Sequence, residues 1–444
     1  MVLRVRHRIA RRRSPPTLRS STMAATKATT IAALALVACA MLAGCGAAKR
    51  ASAESVPAGA GRAQASTCPA TAMQALGRIA QRVYAEGINS ERTVVALRLI
   101  EKSAPLRAAV EAGDPVRAAT AAQALVASGH LTDLRVTSAG KVLAEVGSAA
   151  VAPLRGKLAG AGGKPIATFT TSVWSDEGLL AETSGITEGV AVLRTQGPSG
   201  RGQIIGGKLR LPSGALATRG TLTLGSRRYE YTSIAIIAYP GGQPLREYVL
   251  RPVGSLTPLC GATPQDTTFN TISRIARLIY DAEAGARTGQ QIQRVQSNQP
   301  LLLAVARRDP KATRAAVAAL LHQHIVRLRI TAGTQLLADV GGPYVLAPVS
   351  APLRLGSSEI GTLLLSIQDD EGYKRLAQRL VGLDVVMYMG GRLVKSTIGF
   401  SPGPVPTRGR FAYRGKSYLA YTFDARAFPS GPLRITVLIR VPYS

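Results

Sequence analysis

The sequence predicts an α+β protein of two homologous tandem domains, each a helical N-terminal part followed by a five- to six-stranded antiparallel sheet. Three observations carry this. Each half opens with apolar residues spaced three and four apart, as in Ile272, Ile275, Ala276 and Ile279, the spacing of a helix with one buried face. Farther on the interval falls to two, as in Leu131 to Val136 and Ile325 to Ile330, the spacing of a strand with one buried face. The whole succession then occurs twice, over 68–256 and 257–444, with a slowly drifting offset.

The duplication is legible residue by residue. Cys68, Arg78-Ile79-Ala80 and Tyr84 match Cys260, Arg274-Ile275-Ala276 and Tyr280. Pro105, Val110, Asp114, Pro115 and His130 match Pro300, Val305, Asp309, Pro310 and His324. Near the ends, Thr218-Arg219-Gly220, Tyr229, Pro240 and Leu245-Arg246 match Thr407-Arg408-Gly409, Tyr418, Pro429 and Leu433-Arg434. Chance does not preserve such an order over so long a span.

Each repeat begins with a helix, Ala72 to Tyr84 or Thr271 to Tyr280. Asp114-Pro115 and Asp309-Pro310 then read as helix starts, Asp accepting free backbone N–H groups and Pro fitting the first turn without a donor. Ala-rich helices run to Ser128 and His322. The alternating strands beyond them turn through Ser138-Ala139-Gly140 or Thr331-Ala332-Gly333 into return strands Lys141 to Val146 and Gln335 to Val340. A third strand follows, Ile166 to Trp174 or Ile360 to Gln368. Acidic residues, Asp176-Glu177 and Asp369-Asp370-Glu371, then begin a short helix, where carboxylates suit the positive end of the peptide dipoles. Strands near Val190 to Leu193 and Leu383 to Met389 lead into a closing antiparallel meander.

The N-terminal region supplies an address. Leu42-Ala43-Gly44-Cys45, ending the apolar run from Thr29, resembles the lipobox of bacterial lipoproteins, in which the cysteine is diacylated and becomes the mature N-terminus. The resemblance implies cleavage between Gly44 and Cys45, a signal peptide over 1–44, and a flexible tether over 45–67, rich in Ala, Gly and Ser. Met23 is then an alternative start, with Lys27 as the signal's charge. The apolar run is too short to span a bilayer, and no membrane helix is expected after Cys45. The predicted location is the extracytoplasmic face of the cell membrane, held by lipid, with the second domain free to stand farther from the bilayer. Of four cysteines, Cys39 leaves with the signal and Cys45 is acylated. Cys68 and Cys260 remain, either bridged or as two free thiols.

The formal charge is +30, of which residues 1–44 contribute eight basic side chains and no acidic ones, leaving +22 on the mature chain. Such a field draws a protein toward anionic lipids or acidic wall polymers, although a GC-rich coding bias would also enrich arginine. No nucleic-acid motif accompanies the charge, and export conflicts with a nucleic-acid partner.

The order of elements, exported and membrane-fixed, resembles the Cache family of extracellular PAS-like sensor domains. Closest is the second repeat: Ile360-Gly361-Thr362-Leu363-Leu364-Leu365-Ser366-Ile367-Gln368-Asp369-Asp370-Glu371-Gly372-Tyr373, then Gly391 to Thr397 as a hairpin ending in Ser-Thr. The resemblance implies a small ligand between the sheet's concave face and the loops over it. Candidate ligand-binding residues are Ser366, Gln368, Tyr373, Met387, Lys395 and Tyr421, which combine polar groups with an adaptable apolar lining. The family's amino-acid-gripping set is not recognisable, since Trp174, the sole tryptophan, is matched by Gln368. With no signalling segment after Ser444, a signal would pass by contact with a separate membrane-bound protein.

Motifs for chemistry are sparse. His322-Gln323-His324 has two imidazoles but no third ligand, and His324 matches the lone His130, so a structural role is expected and no metal. Arg414-Gly415-Lys416-Ser417 lacks the glycine that a phosphate loop needs at position 410, where Arg410 stands, and reads as a hairpin turn. No GxSxG element is present, and Asp369, Asp370 and Glu371 suit helix capping better than acid–base chemistry. No catalytic residue and no cofactor are therefore assigned. The expected function is non-catalytic: a lipid-anchored binding or sensor-accessory protein, with a small ligand in the second domain. The alternative is a cell-envelope interaction protein whose basic surface holds anionic wall polymers or a protein partner.

Overall fold

A computed structural model describes residues 67–197, 202–282, 284–321, 324–399 and 403–442. Gly44, Cys45, the tether up to residue 66, His322 and Gln323 lie outside the described residues. The first repeat runs α1 (Cys68–Glu86), α2 (Glu91–Glu101), α3 (Ala104–Glu111), α4 (Pro115–Ala127), β1 (Asp133–Ser138), β2 (Lys141–Gly147), β3 (Ala150–Val151), β4 (Leu154–Ala159), β5 (Pro165–Ser172), β6 (Trp174–Ser175), α5 (Asp176–Thr187), β7 (Val190–Thr195), β8 (Ile204–Gly207), β9 (Arg219–Leu224), β10 (Arg227–Ile237) and β11 (Pro244–Pro252). After the short α6 (Val253–Leu256) the succession repeats as α7 (Pro264–Ala282), α8 (Ala286–Gln296), α9 (Gln299–Ala306), α10 (Pro310–Leu320), β12 (Arg327–Ala332), β13 (Gln335–Gly341), β14 (Val345–Leu346), β15 (Val349–Leu355), β16 (Ser358–Ser366), β17 (Gln368–Asp369), α11 (Asp370–Leu376), β18 (Asp384–Met389), β19 (Arg392–Ser396), β20 (Arg408–Tyr413), β21 (Lys416–Ala427) and β22 (Gly431–Arg440).

Local chemistry explains the element ends. Asp114 Oδ1 accepts from the backbone N–H groups of Val116 and Arg117, both at 3.0 Å, and Asp309 Oδ1 from those of Lys311 and Ala312 at 2.9 and 3.0 Å. Each such cap is worth about 1 kcal/mol. Asp369 caps α11 through Gly372 N at 2.7 Å, while in the first repeat Ser175 caps α5 through Gly178 N. Between β20 and β21, Arg414 and Gly415 both take left-handed backbone (φ 49° and 72°), which a two-residue hairpin matched to strand twist requires.

The architecture is α+β with antiparallel sheets, but each repeat divides its strands among more than one of them. The first repeat forms β2-β1-β5-β4, β8-β7-β11-β10-β9 and a two-stranded β3-β6. The second forms β13-β12-β16-β15 and a larger sheet in which β19-β18-β22-β21 keeps the same order, β20 pairs with β21, and β14 and β17 extend the far edge. This differs from the single five- to six-stranded sheet predicted per repeat. Both sets alternate with period two, and pattern alone does not say which strands share hydrogen bonds.

The cores follow that division. Helices α2–α4 bury Ile100, Leu106 and Ala118 against Leu134, Leu158 and Phe169 of the first small sheet. In the second repeat Val295, Leu301 and Val317 meet Leu328, Leu353 and Leu363. The largest core is common to both repeats: Leu76, Ile79 and Val83 of α1 and Ile272 and Ile275 of α7 pack with Leu179, Leu193, Tyr373, Val385, Met387 and Val437. A disulfide joins Cys68 to Cys260, their Cα atoms 5.6 Å apart, and so ties the start of α1 to the turn before α7. Among the described residues no helix is long and apolar enough to cross a membrane.

Candidate functional site

The six residues proposed from sequence do not line one cleft. Tyr373 is fully buried in the common core, its hydroxyl donating to Ala276 O at 2.8 Å, and Met387 is fully buried beside it. Both are closed off from solvent, contrary to expectation. The reason is strand alternation: Val385 and Met387 point to the helix-covered face and Val386 to the other, and sequence did not say which face the helices cover. Ser366 is buried at the end of β16 and its hydroxyl has no hydrogen-bond partner. Lys395 on β19 is held by Glu371 at 2.9 Å and Asp370 at 3.3 Å, and Lys374, followed by Lys395, pulls the Glu371 carboxyl down to about 2. Tyr421 packs edge-on against Phe269 and lines a separate cleft. Gln368, almost fully buried on β17, lines the cleft described next.

That cleft, about 760 Å³, is lined by both repeats. Two pairs of equivalent residues reach it: Arg92 and Arg287, each the second residue of its helix (α2 and α8), and His130 and His324, each just before a first strand. Helix α11 adds Arg375, and the π-helical turn after it, Ala377–Val381, adds Arg379. Partial burial and the nearby Arg287 charge lower the Arg92 guanidinium from its ordinary value, a sign that like charges are held close. Arg92 lies 5.7 Å from the centre of the Trp174 ring and has no carboxylate within ion-pair distance among the described residues. Arg287 meets Glu182 at 3.6 Å, Arg375 meets Glu91 at 4.0 Å, and Arg379 pairs with Glu86. Exposed pairs of this kind contribute at most about 1 kcal/mol, so a planar oxyanion that engages a guanidinium through two hydrogen bonds competes with them. A lining residue of α8, Gln291, adds a buried side-chain oxygen without a hydrogen-bond partner.

No protein-family model matches the chain, and no curated protein matches it. Among solved structures, an extracellular ligand binding receptor from Desulfohalobium retbaense is similar in part, at 10% identity over 41% of this chain and 39% of that one, with a TM-score of 0.23. The chain thus spans well under half of that receptor's length, and a likeness so slight bears on neither fold nor ligand.

The arginines of the cleft were not singled out from sequence. The signal existed: Arg92-Thr93 and Arg287-Thr288 occupy the same place in each repeat, and both threonines are buried while both arginines stay exposed. Among the described residues no group of three or more His, Cys, Asp or Glu side chains is placed to hold a metal. The two histidines share the cleft with amides, with two carboxylates, Glu91 and Asp369, and with four guanidinium groups, an excess of positive charge that suits recognition of an anion.

Proposed function

We propose that the protein is a lipid-anchored, extracytoplasmic binding protein that holds a small anionic molecule in the cleft between its repeats and acts without catalysis. The convergence of Arg92 and Arg287 carries this reading. Holding like charges together costs stability in the empty protein, and an oxyanion seated between them offsets that cost. The lipobox supplies the anchor, and the Cache-like order of elements supplies the sensor-accessory role, with occupancy passed to a membrane-bound partner through contact. The ligand site differs from the one expected within the second repeat, because both repeats contribute to it.

Thermal unfolding of the full-length protein at low ionic strength, against a panel of small carboxylates and phosphates, tests the reading. A ligand at one hundred times its Kd stabilises the native state by about 2.7 kcal/mol. Arg92→Gln is expected to weaken the active compound at least tenfold, and Arg287→Gln likewise. A shift that survives both substitutions together would remove the cleft from the proposal. The anchor is tested separately by acyl labelling, which Cys45→Ala is expected to abolish.

A further inference from the structure

A second cleft, about 800 Å³, lies along the face of α7 and is built differently. Helix α7 presents Asn270, Ser273, Arg274 and Arg277 to it, the three- and four-residue spacing that sets side chains on one helix face. Arg251 enters from the end of β11 and Arg408 from β20. Glu188 is the one carboxylate in the described lining, and two guanidinium groups share it: Arg274 at 2.5 Å and Arg251 at 3.6 Å. Arg277 pairs with Asp281 of its own helix at 3.1 Å. Arg408 donates to Asn270 Oδ1 at 2.6 Å and lies 5.0 Å from the Phe269 ring centre, with no carboxylate partner among the described residues. Four guanidinium groups thus face two carboxylates, an excess of two positive charges.

Two further observations point to a ligand rather than to a solvated basic face. Ser273 lines the cleft, is 3% exposed, and its hydroxyl has no hydrogen-bond partner; a buried donor left unmade costs about 1–3 kcal/mol. Arg251, with a side chain 7% exposed, is fixed by Thr187 O at 3.1 Å and by Ser255, so one wall of the cleft is pre-organised. The corresponding positions on α1 and β9 keep Arg78 and Arg219, the counterparts of Arg274 and Arg408, but not the other polar groups. Gly77, Gln81 and Thr232 stand where the second repeat has Ser273, Arg277 and Tyr421, and Gly77 sits so close to Thr232 that a Cβ would lie 2.9 Å from it.

We propose that this cleft binds a phosphate ester. A phosphate group carries up to two negative charges, matching the excess, and presents acceptor oxygens in the geometry that guanidinium forks grip bidentately. Ser273 gains the acceptor that it lacks. The site shares no lining residue with the cleft that holds Arg92 and Arg287.

Calorimetric titration of the full-length protein at low salt with inorganic phosphate, glycerol phosphate and glycerophosphoglycerol tests the proposal. Saturable binding is expected. The double substitution Arg277→Gln, Arg408→Gln is expected to weaken it more than tenfold, and Ser273→Ala severalfold. Preference for the monoester identifies a soluble phosphorylated metabolite, and preference for the diester identifies the repeating linkage of a lipid headgroup or wall polymer. Circular dichroism checks that the double variant is folded; Ser273→Ala, which removes one hydroxyl, supplies an independent measure. Absence of saturable binding by all three compounds at millimolar concentration, or wild-type affinity in the folded double variant, would overturn the proposal.

Discussion

The two repeats solve the same packing problems with opposite chemistry. In the first, Glu247 of β11 is fully buried beside Thr183 of α5; in the second, the equivalent positions are Ile435 and Ala377. Burial pushes the Glu247 carboxyl up to about 8, with the Thr183 hydroxyl pulling the other way. A parallel exchange occurs at the first strand of each repeat. Asp133 is raised to about 6 by burial, with the nearby Tyr239 hydroxyl pulling the other way, whereas its counterpart Arg327 pairs with Asp339 at 2.8 Å and lies 4.7 Å from the Phe428 ring centre, Phe428 being the counterpart of Tyr239. At both places a change on one element is matched on its neighbour. A buried polar group without a suitable partner is costly, so packed pairs diverge together while the backbone is kept.

The comparison is broken most forcefully by truncating equivalent core residues, Leu179 and Tyr373, which meet in the common core. Tyr373→Ala is expected to cost about 4 kcal/mol and Leu179→Ala about 3 kcal/mol. Because one core serves both repeats, each variant should shift a single calorimetric transition. Two transitions, only one displaced by each variant, would show that the repeats unfold independently.

Giving the first repeat the second's chemistry is the next largest change. Native Glu247 titrates near 8 and an unfolded glutamate near its ordinary value of about 4.3. Between those values the native state holds a proton that the unfolded state has released, so stability falls as pH rises and levels off above about pH 8. Glu247→Ile with Thr183→Ala removes that dependence and stabilises the protein at pH 8.5 by about 4 kcal/mol. Denaturant unfolding from pH 4 to 9 measures it; an unchanged pH slope would mean that Glu247 is ionised in the native state.

Removing the tie between the repeats is expected to do less. The Cys68–Cys260 bridge closes a loop of 192 residues, and Cys68→Ser with Cys260→Ser should lower stability by about 3 kcal/mol. The smallest effect belongs to a device of the second repeat alone: Lys395, partly exposed between Glu371 and Asp370. Lys395→Met should cost about 1 kcal/mol at low salt. A loss that does not shrink at high ionic strength would assign Lys395 a packing role instead.

What the sequence determined by itself is what depends on near neighbours. The caps at Asp114 and Asp309, the hairpin turn at Arg414-Gly415 and the acidic start of α11 were all legible, because a cap or turn is decided within four residues. The twofold recurrence of these features was legible for the same reason. Tertiary structure alone decided that each repeat's strands fall into separate sheets, that Tyr373 and Met387 face helices rather than a cavity, and that Arg92 and Arg287 share one cleft. Period-two alternation is the same on either face of a sheet and in either of two sheets. Which face is covered, and which distant side chains meet, follows from α1 and α7 packing into a common core, a contact between segments far apart in the chain that no local pattern encodes.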